Sequence, residues 1–122
     1  MIKILYIEDT RRPERNIEFK EQIGKLELDA EIEYCENIDP DYLLQKKVDG
    51  VVYHSGMDGY RVVYAVAKKL KWPRLSYSGA VSSPPYLSKN SMEENQFSVN
   101  SEYFVHVLPK FIEHCKIVKS SR

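Results

Sequence analysis

The chain has 122 residues, enough for one domain with its own core. Its 18 bases balance its 18 acids, so no global charge draws it to nucleic acid or to an anionic membrane. Two cysteines, Cys35 and Cys115, give neither a disulfide framework nor a metal-ligand spacing, and both fall in apolar patterns that read as core.

The first strand is Ile2–Ile7, an uninterrupted branched run that suits a strand covered on both faces. It ends in the acidic pair Glu8-Asp9. Thr10 is placed to cap the next helix, with Pro13 tolerable in its first turn. Ile17, Phe19, Ile23 and Leu26 form that helix's apolar face, and Gly24 is its stop. Glu31–Cys35 alternates with period two, as an edge strand with one wet face does. Asp39-Pro40 opens a short second helix with Tyr42, Leu43 and Leu44 as its buried side.

Asp49-Gly50 turns into the third strand, Val51–Tyr53, which ends in His54. Met57-Asp58-Gly59 leads into a helix with Val62, Val63, Val66 and Leu70 at three- and four-residue steps. Lys68, Lys69 and Lys71 crowd its carboxyl end, as the helix dipole favours, and Pro73 stops it. Leu75–Ser78 is the fourth strand, closed by Gly79. Residues 80–92, with two prolines and four serines, should hold little regular structure. Gln96–Val99 is the fifth strand. Asn100 or Ser101 caps a last helix whose inner face is Phe104, Val107, Leu108, Phe111, Ile112 and Cys115, and Pro109 should kink it. The polar end, Lys116–Arg122, should fray; the single domain is drawn over residues 1–119, with 120–122 as its frayed terminus.

Strands alternating with helices predict an α/β, three-layer sandwich. Its five-stranded parallel sheet should have the flavodoxin-like order 2-1-3-4-5, with the first, third and fourth strands central and helices on both faces. No glycine-rich phosphate loop appears, which argues against a nucleotide-binding relative. The chain enters a strand at once and has no long apolar stretch. Neither a signal peptide nor a transmembrane helix is therefore expected, and the predicted location is cytoplasmic.

Four features recur in order: Glu8-Asp9 after the first strand, Met57-Asp58-Gly59 opening the third helix, Ser78-Gly79 after the fourth strand, and Phe97 on the fifth. Together they resemble a response-regulator receiver domain over nearly the full length. The resemblance implies that Glu8 and Asp9 occupy the magnesium-binding positions, Ser78 that of the phosphoryl sensor and Phe97 that of the switch aromatic. It also exposes departures. His54 stands at the phosphoacceptor aspartate, Asn100 at the lysine and Ser101 at the proline that follows it. The connection from His54 to Met57 is shorter than usual and lacks that loop's proline. Without a carboxylate nucleophile neither aspartyl phosphate nor full metal ligation is expected, and without the lysine no cation balances a phosphoryl group.

Several residues keep two readings at this stage. His54 is a phosphoacceptor, a metal ligand with Asp9 or a pH-sensitive latch; otherwise it is a strand-end histidine bonded to Glu8 or Asp9 that fills the vacated cation site, with a raised pKa. Asp58 is a substitute phosphoacceptor or a helix cap. Arg11 and Arg12 bind an anion or pair with nearby carboxylates. Lys68, Lys69, Lys71 and Arg74 face nucleic acid or form a solvated helix end. Nine tyrosines exceed what a small core needs, and Tyr86, Tyr103 and His106 are the candidate contact residues.

The leading functional expectation is a stand-alone pseudo-receiver: a non-enzymatic interaction module in signalling that docks through the face around helix 4, strand 5 and helix 5. Its partner is a kinase, regulator or output domain, or a second copy of the chain. No cofactor, membrane or nucleic acid is expected. The alternative is a metal-dependent phosphotransfer or hydrolytic domain using Glu8, Asp9, Asp58 and His54.

Overall fold

The computed structural model describes residues 1–81, 88–89 and 95–121. Its strands are β1 (Ile2–Ile7), β2 (Ala30–Cys35), β3 (Gly50–His54), β4 (Arg74–Ser78), β5 (Ser88–Lys89) and β6 (Gln96–Asn100). The helices are α1 (Pro13–Gly24), α2 (Pro40–Leu44), α3 (Tyr60–Lys69) and α4 (Phe104–Ser120), the last preceded by a 3-10 turn at Ser101–Tyr103. Five strands pair in parallel in the order β2-β1-β3-β4-β6, with β1, β3 and β4 internal. This is the flavodoxin-like α/β arrangement expected.

One strand differs from expectation. Within 80–92, β5 pairs antiparallel with β6, Ser88 opposite Ser98 and Lys89 opposite Phe97. That pairing satisfies part of an edge that would otherwise present open backbone groups.

Residues of β1 alternate between two cores. Ile2, Ile4 and Tyr6 join Phe19 and Ile23 of α1 and the inner face of α4, while Leu5 and Ile7 join Leu43 of α2 and Val63, Val66 and Ala67 of α3. Helices therefore cover both faces, the condition under which parallel strands are stable. The close approach of α4 to the sheet needs Gly50. A Cβ there would lie 2.6 Å from Cys115 Sγ and 3.2 Å from both Ile4 Cδ1 and Phe111 Cε2.

The helix ends correct several expectations. Arg12, not Thr10, is the N-cap of α1, with no side-chain bond. Ile17 points to solvent, and the turn it was expected to bury instead buries Asn16. On α2, Leu43 is buried while Tyr42 is largely exposed. Asp58 does not cap α3; that place falls to Gly59 at φ 80, with Ile38 packed where a side chain would stand. The other end of α3 closes before Pro73. Lys71 takes a left-handed φ of 59, its amide bonding Lys68 O, and Trp72 N donates to Ala67 O. This is the Schellman pattern, built here without glycine. Helix α4 continues through Pro109 and on to Ser120, so Lys116 is not frayed: its amine pairs with Asp29 at 3.0 Å and Glu113 at 3.1 Å. Among the described residues no helix is long and apolar enough to cross a membrane.

Candidate functional site

Glu8-Asp9, His54, Ser78 and Asn100 all stand at the carboxyl ends of parallel strands, the edge where open α/β sheets carry their chemistry. Register places His54 beside Tyr77 and Ser78 beside Asn100.

The turn after β1 is anchored from below by Asn16. Its Nδ2 donates to Asp9 O at 2.9 Å, and its Oδ1 accepts from Asp9 N at 3.3 Å. The same Oδ1 meets the Tyr6 hydroxyl at 3.4 Å, and Tyr6 in turn meets the Tyr77 hydroxyl at 3.4 Å. Burial pushes both phenols above their ordinary pKa. A buried asparagine on an otherwise apolar helix face thus has a structural use: it satisfies the backbone of a buried acidic turn.

Asp9 is fully buried. Arg11 grips it with Nε 2.9 Å from Oδ1 and Nη2 2.8 Å from Oδ2, while the Arg11 amide donates to Oδ1 at 3.1 Å. This fork-to-fork pair is among the stronger charge-assisted arrangements. It holds the Asp9 carboxyl below its ordinary pKa and, with help from Asp58, the guanidinium above its own. Of the two readings for Arg11, pairing with a carboxylate is the one realised.

His54 does not fill the cation position. Its Nδ1 accepts from Gly56 N at 2.8 Å and lies 3.4 Å from Arg11 Nη2. An acceptor at Nδ1 requires the neutral ring with its proton on Nε2. The expected rise in pKa is reversed. Burial lowers it first; Asp9 pulls it up, and Arg11, Arg15 and Arg12 push it down.

Glu8 faces different partners from Asp9. Burial and the neighbouring Glu36 raise its pKa against a smaller opposing effect of Lys20. Among the described residues no three His, Cys, Asp or Glu side chains are grouped as metal ligands. Glu8, Asp9, Asp58 and His54 therefore do not form a joint ligand set, and a cation at Asp9 must first displace Arg11.

The remaining candidates are tied into turns or core. Ser78 Oγ accepts from Ala80 N at 3.1 Å. Asn100 caps the 3-10 turn by accepting from Glu102 N at 2.9 Å, and its Nδ2 clasps Val81 O at 2.7 Å. Ser101 makes no such cap; its Oγ is buried with no partner among the described residues. Phe97 packs into the α4 core, 6.2 Å from the Phe111 ring and 4.7 Å from His114. Tyr103 is half-buried against the same core, and His106 is exposed at the start of α4. Tyr86 and most of the stretch where a helix 4 would precede the last parallel strand lie outside the described residues; the part described, Ser88–Lys89, is strand β5.

Asn16 is the site residue whose role the sequence concealed; for Arg11 it left two readings open. Arg11 is only two positions from Asp9, so its pairing is a local event; nothing in the pattern selects Asn16 for burial. The fold and edge geometry define a flavodoxin-like α/β protein. No family model matches the chain, and no curated protein or solved structure matches it.

Proposed function

We propose that the chain is a degenerate receiver, a pseudo-receiver that acts in cytoplasmic signalling through contacts with another protein rather than by phosphotransfer. The Arg11–Asp9 pair carries this reading. A guanidinium bound to both oxygens of a buried aspartate supplies, from within the chain, the positive charge that a divalent cation supplies in a receiver. Neutral His54 at the end of β3 is no carboxylate nucleophile, and Asn100 at the end of β6 holds a loop carbonyl instead of balancing phosphate. The partner is a kinase, regulator or output domain, or a second copy, and the contact face includes Tyr103 and His106.

Two measurements test this. Incubation with acetyl phosphate and magnesium should leave the mass unchanged, and millimolar magnesium should not raise the melting temperature. A hydroxylamine-labile phosphoryl adduct sinks the reading. A photocrosslinker at His106 should trap a signalling protein or a second copy in the native host, and one at exposed Lys69 on α3 should not. Equal trapping at both positions removes the proposed face.

A further inference from the structure

The α2/α3 side of the sheet changes character halfway across. Under the helices, β1 and β3 present Leu5, Ile7, Val51 and Tyr53, all buried. On that same side β4 presents Arg74, Ser76 and Ser78, and β6 presents Gln96, Ser98 and Asn100, because Leu75, Tyr77, Phe97 and Val99 fill the opposite core. Parallel strands covered on both faces ordinarily read as continuous apolar runs. Here RLSYS and QFSVN alternate strictly.

Alternation would be ordinary if the polar side met water, but Arg74, Ser76 and Gln96 are only 4%, 5% and 6% exposed. They satisfy one another in part: Arg74 Nε donates to Gln96 Oε1 at 2.7 Å, and the Ser76 and Ser98 hydroxyls lie 3.4 Å apart. An apolar face would pack as well at lower desolvation cost. A buried polar face is what the floor of a ligand cleft requires.

A cavity of about 310 Å³ lies over that face. Ser76 and Gln96 form its floor, and Tyr53, Tyr60 and Tyr64 form its walls. The exposed Arg61 lines it from α3, its Nε donating to the Tyr60 hydroxyl at 3.0 Å with the guanidinium 5.6 Å over the Tyr60 ring. Among the described residues no carboxylate lines it. Aromatic walls favour flat π-systems, neutral amide and hydroxyl groups read polar ring edges, and a guanidinium favours carboxylate or phosphate. The volume sits at the small end of ligand pockets, which span roughly 300–1,000 Å³, and suits one ring system rather than a dinucleotide.

We propose that this cavity binds a small planar heteroaromatic or aromatic molecule bearing one anionic group, with its ring against the tyrosines, its polar edge over Ser76 and Gln96, and its anion on Arg61. The inference rests on the cavity alone and stands or falls independently of the degenerate-receiver reading.

The test is calorimetric titration and amide chemical-shift mapping of the full chain with AMP, GMP and UMP in one arm and 4-hydroxybenzoate and anthranilate in the other. Adenosine and inorganic phosphate serve as controls. Saturable binding in the first arm identifies a base carrying phosphate; binding in the second identifies an aromatic carboxylate. Either supports the proposal if shifts centre on Tyr60–Tyr64 and Ser76, and if Arg61→Met weakens binding about tenfold while Lys69→Met does not. Because Arg61 is exposed, its variant should keep the wild-type circular dichroism spectrum, and Ser76→Ala provides a second probe from the floor. No saturable binding in either arm overturns the proposal, as does binding indifferent to both variants or matched by inorganic phosphate alone.

Discussion

Arg11 Nη2 lies 3.4 Å from His54 Nδ1, the same nitrogen that accepts the Gly56 amide. Protonating His54 there would place two positive groups against each other and break the Gly56 bond. The folded protein therefore favours the neutral imidazole.

Stability should follow from that preference. The folded pKa of His54 lies below its unfolded value of about 6.5. Between the two the unfolded chain binds more protons, so this group's contribution is full above pH 6.5 and is lost as pH falls through the folded pKa. His54→Gln should flatten the dependence between pH 5 and 7. An NMR titration of the His54 ring with a midpoint above 6.5 would show the sign to be wrong.

Replacing Arg11 with Met should destabilise the fold, because Asp9 is left buried without its counter-charge. Asp9 has a depressed pKa, so the stability it contributes is present above its unfolded value of about 3.9 and is lost as pH falls through the folded value. The gap between wild type and Arg11→Met, read from urea melts, should be widest near pH 7 and close in acid. Millimolar magnesium should raise the variant's melting temperature and leave the wild type unmoved. A magnesium response of equal size in both proteins counts against Arg11 as the stand-in cation.

Gly50→Ala should cost about 1–3 kcal/mol by overpacking the seam between β3 and α4. Cys115 Sγ is the nearest atom to the new methyl, so Cys115→Ala should relieve part of that cost. A double-mutant cycle measured by chemical denaturation should show coupling between the two; strict additivity would mean that the sheet simply shifts.

Phe104 is fully buried, with ring centroids 4.5 Å from Tyr77 and 5.1 Å from Phe19. Phe104→Ala should cost roughly 3–5 kcal/mol. Ile17, 68% exposed on α1, should tolerate Ala within about 0.5 kcal/mol. Comparable losses from the two substitutions would contradict the placement of α1.

The strands were legible because each parallel strand carries at least one face of apolar residues, and their order follows from the uninterrupted runs of β1 and β3 at the centre and the charged alternation at β2; β4 is internal although it alternates. Helix α1 was misread at one turn because Asn16 takes the inward position and Ile17 the outward one. Hydrophobicity alone cannot anticipate an asparagine retained to satisfy the Asp9 backbone. Caps failed where the backbone itself set the geometry, as at Gly59. At the site, the carboxyl-edge positions were visible from the pattern, but the charge balance was not. It depends on where one long arginine side chain folds back, a choice between binding an external anion and pairing with a nearby carboxylate that spacing leaves open. The alternation of RLSYS and QFSVN was visible in the sequence, a signal that identifies strands but acquires meaning only once Arg74, Ser76 and Gln96 on the polar side prove to be buried.

The outer edge of β2 has a consequence for how copies of this chain can meet. That strand ends the sheet and carries Glu31 and Glu33, the latter bridged to Lys46 at 2.6 Å. Two such edges brought together as a continuous ribbon would set carboxylates opposite one another, where like charges repel. The row acts as an electrostatic guard on an exposed hydrogen-bonding edge. Self-assembly through that border is therefore disfavoured, and replacing both glutamates with threonine would leave the rim open to sheet extension.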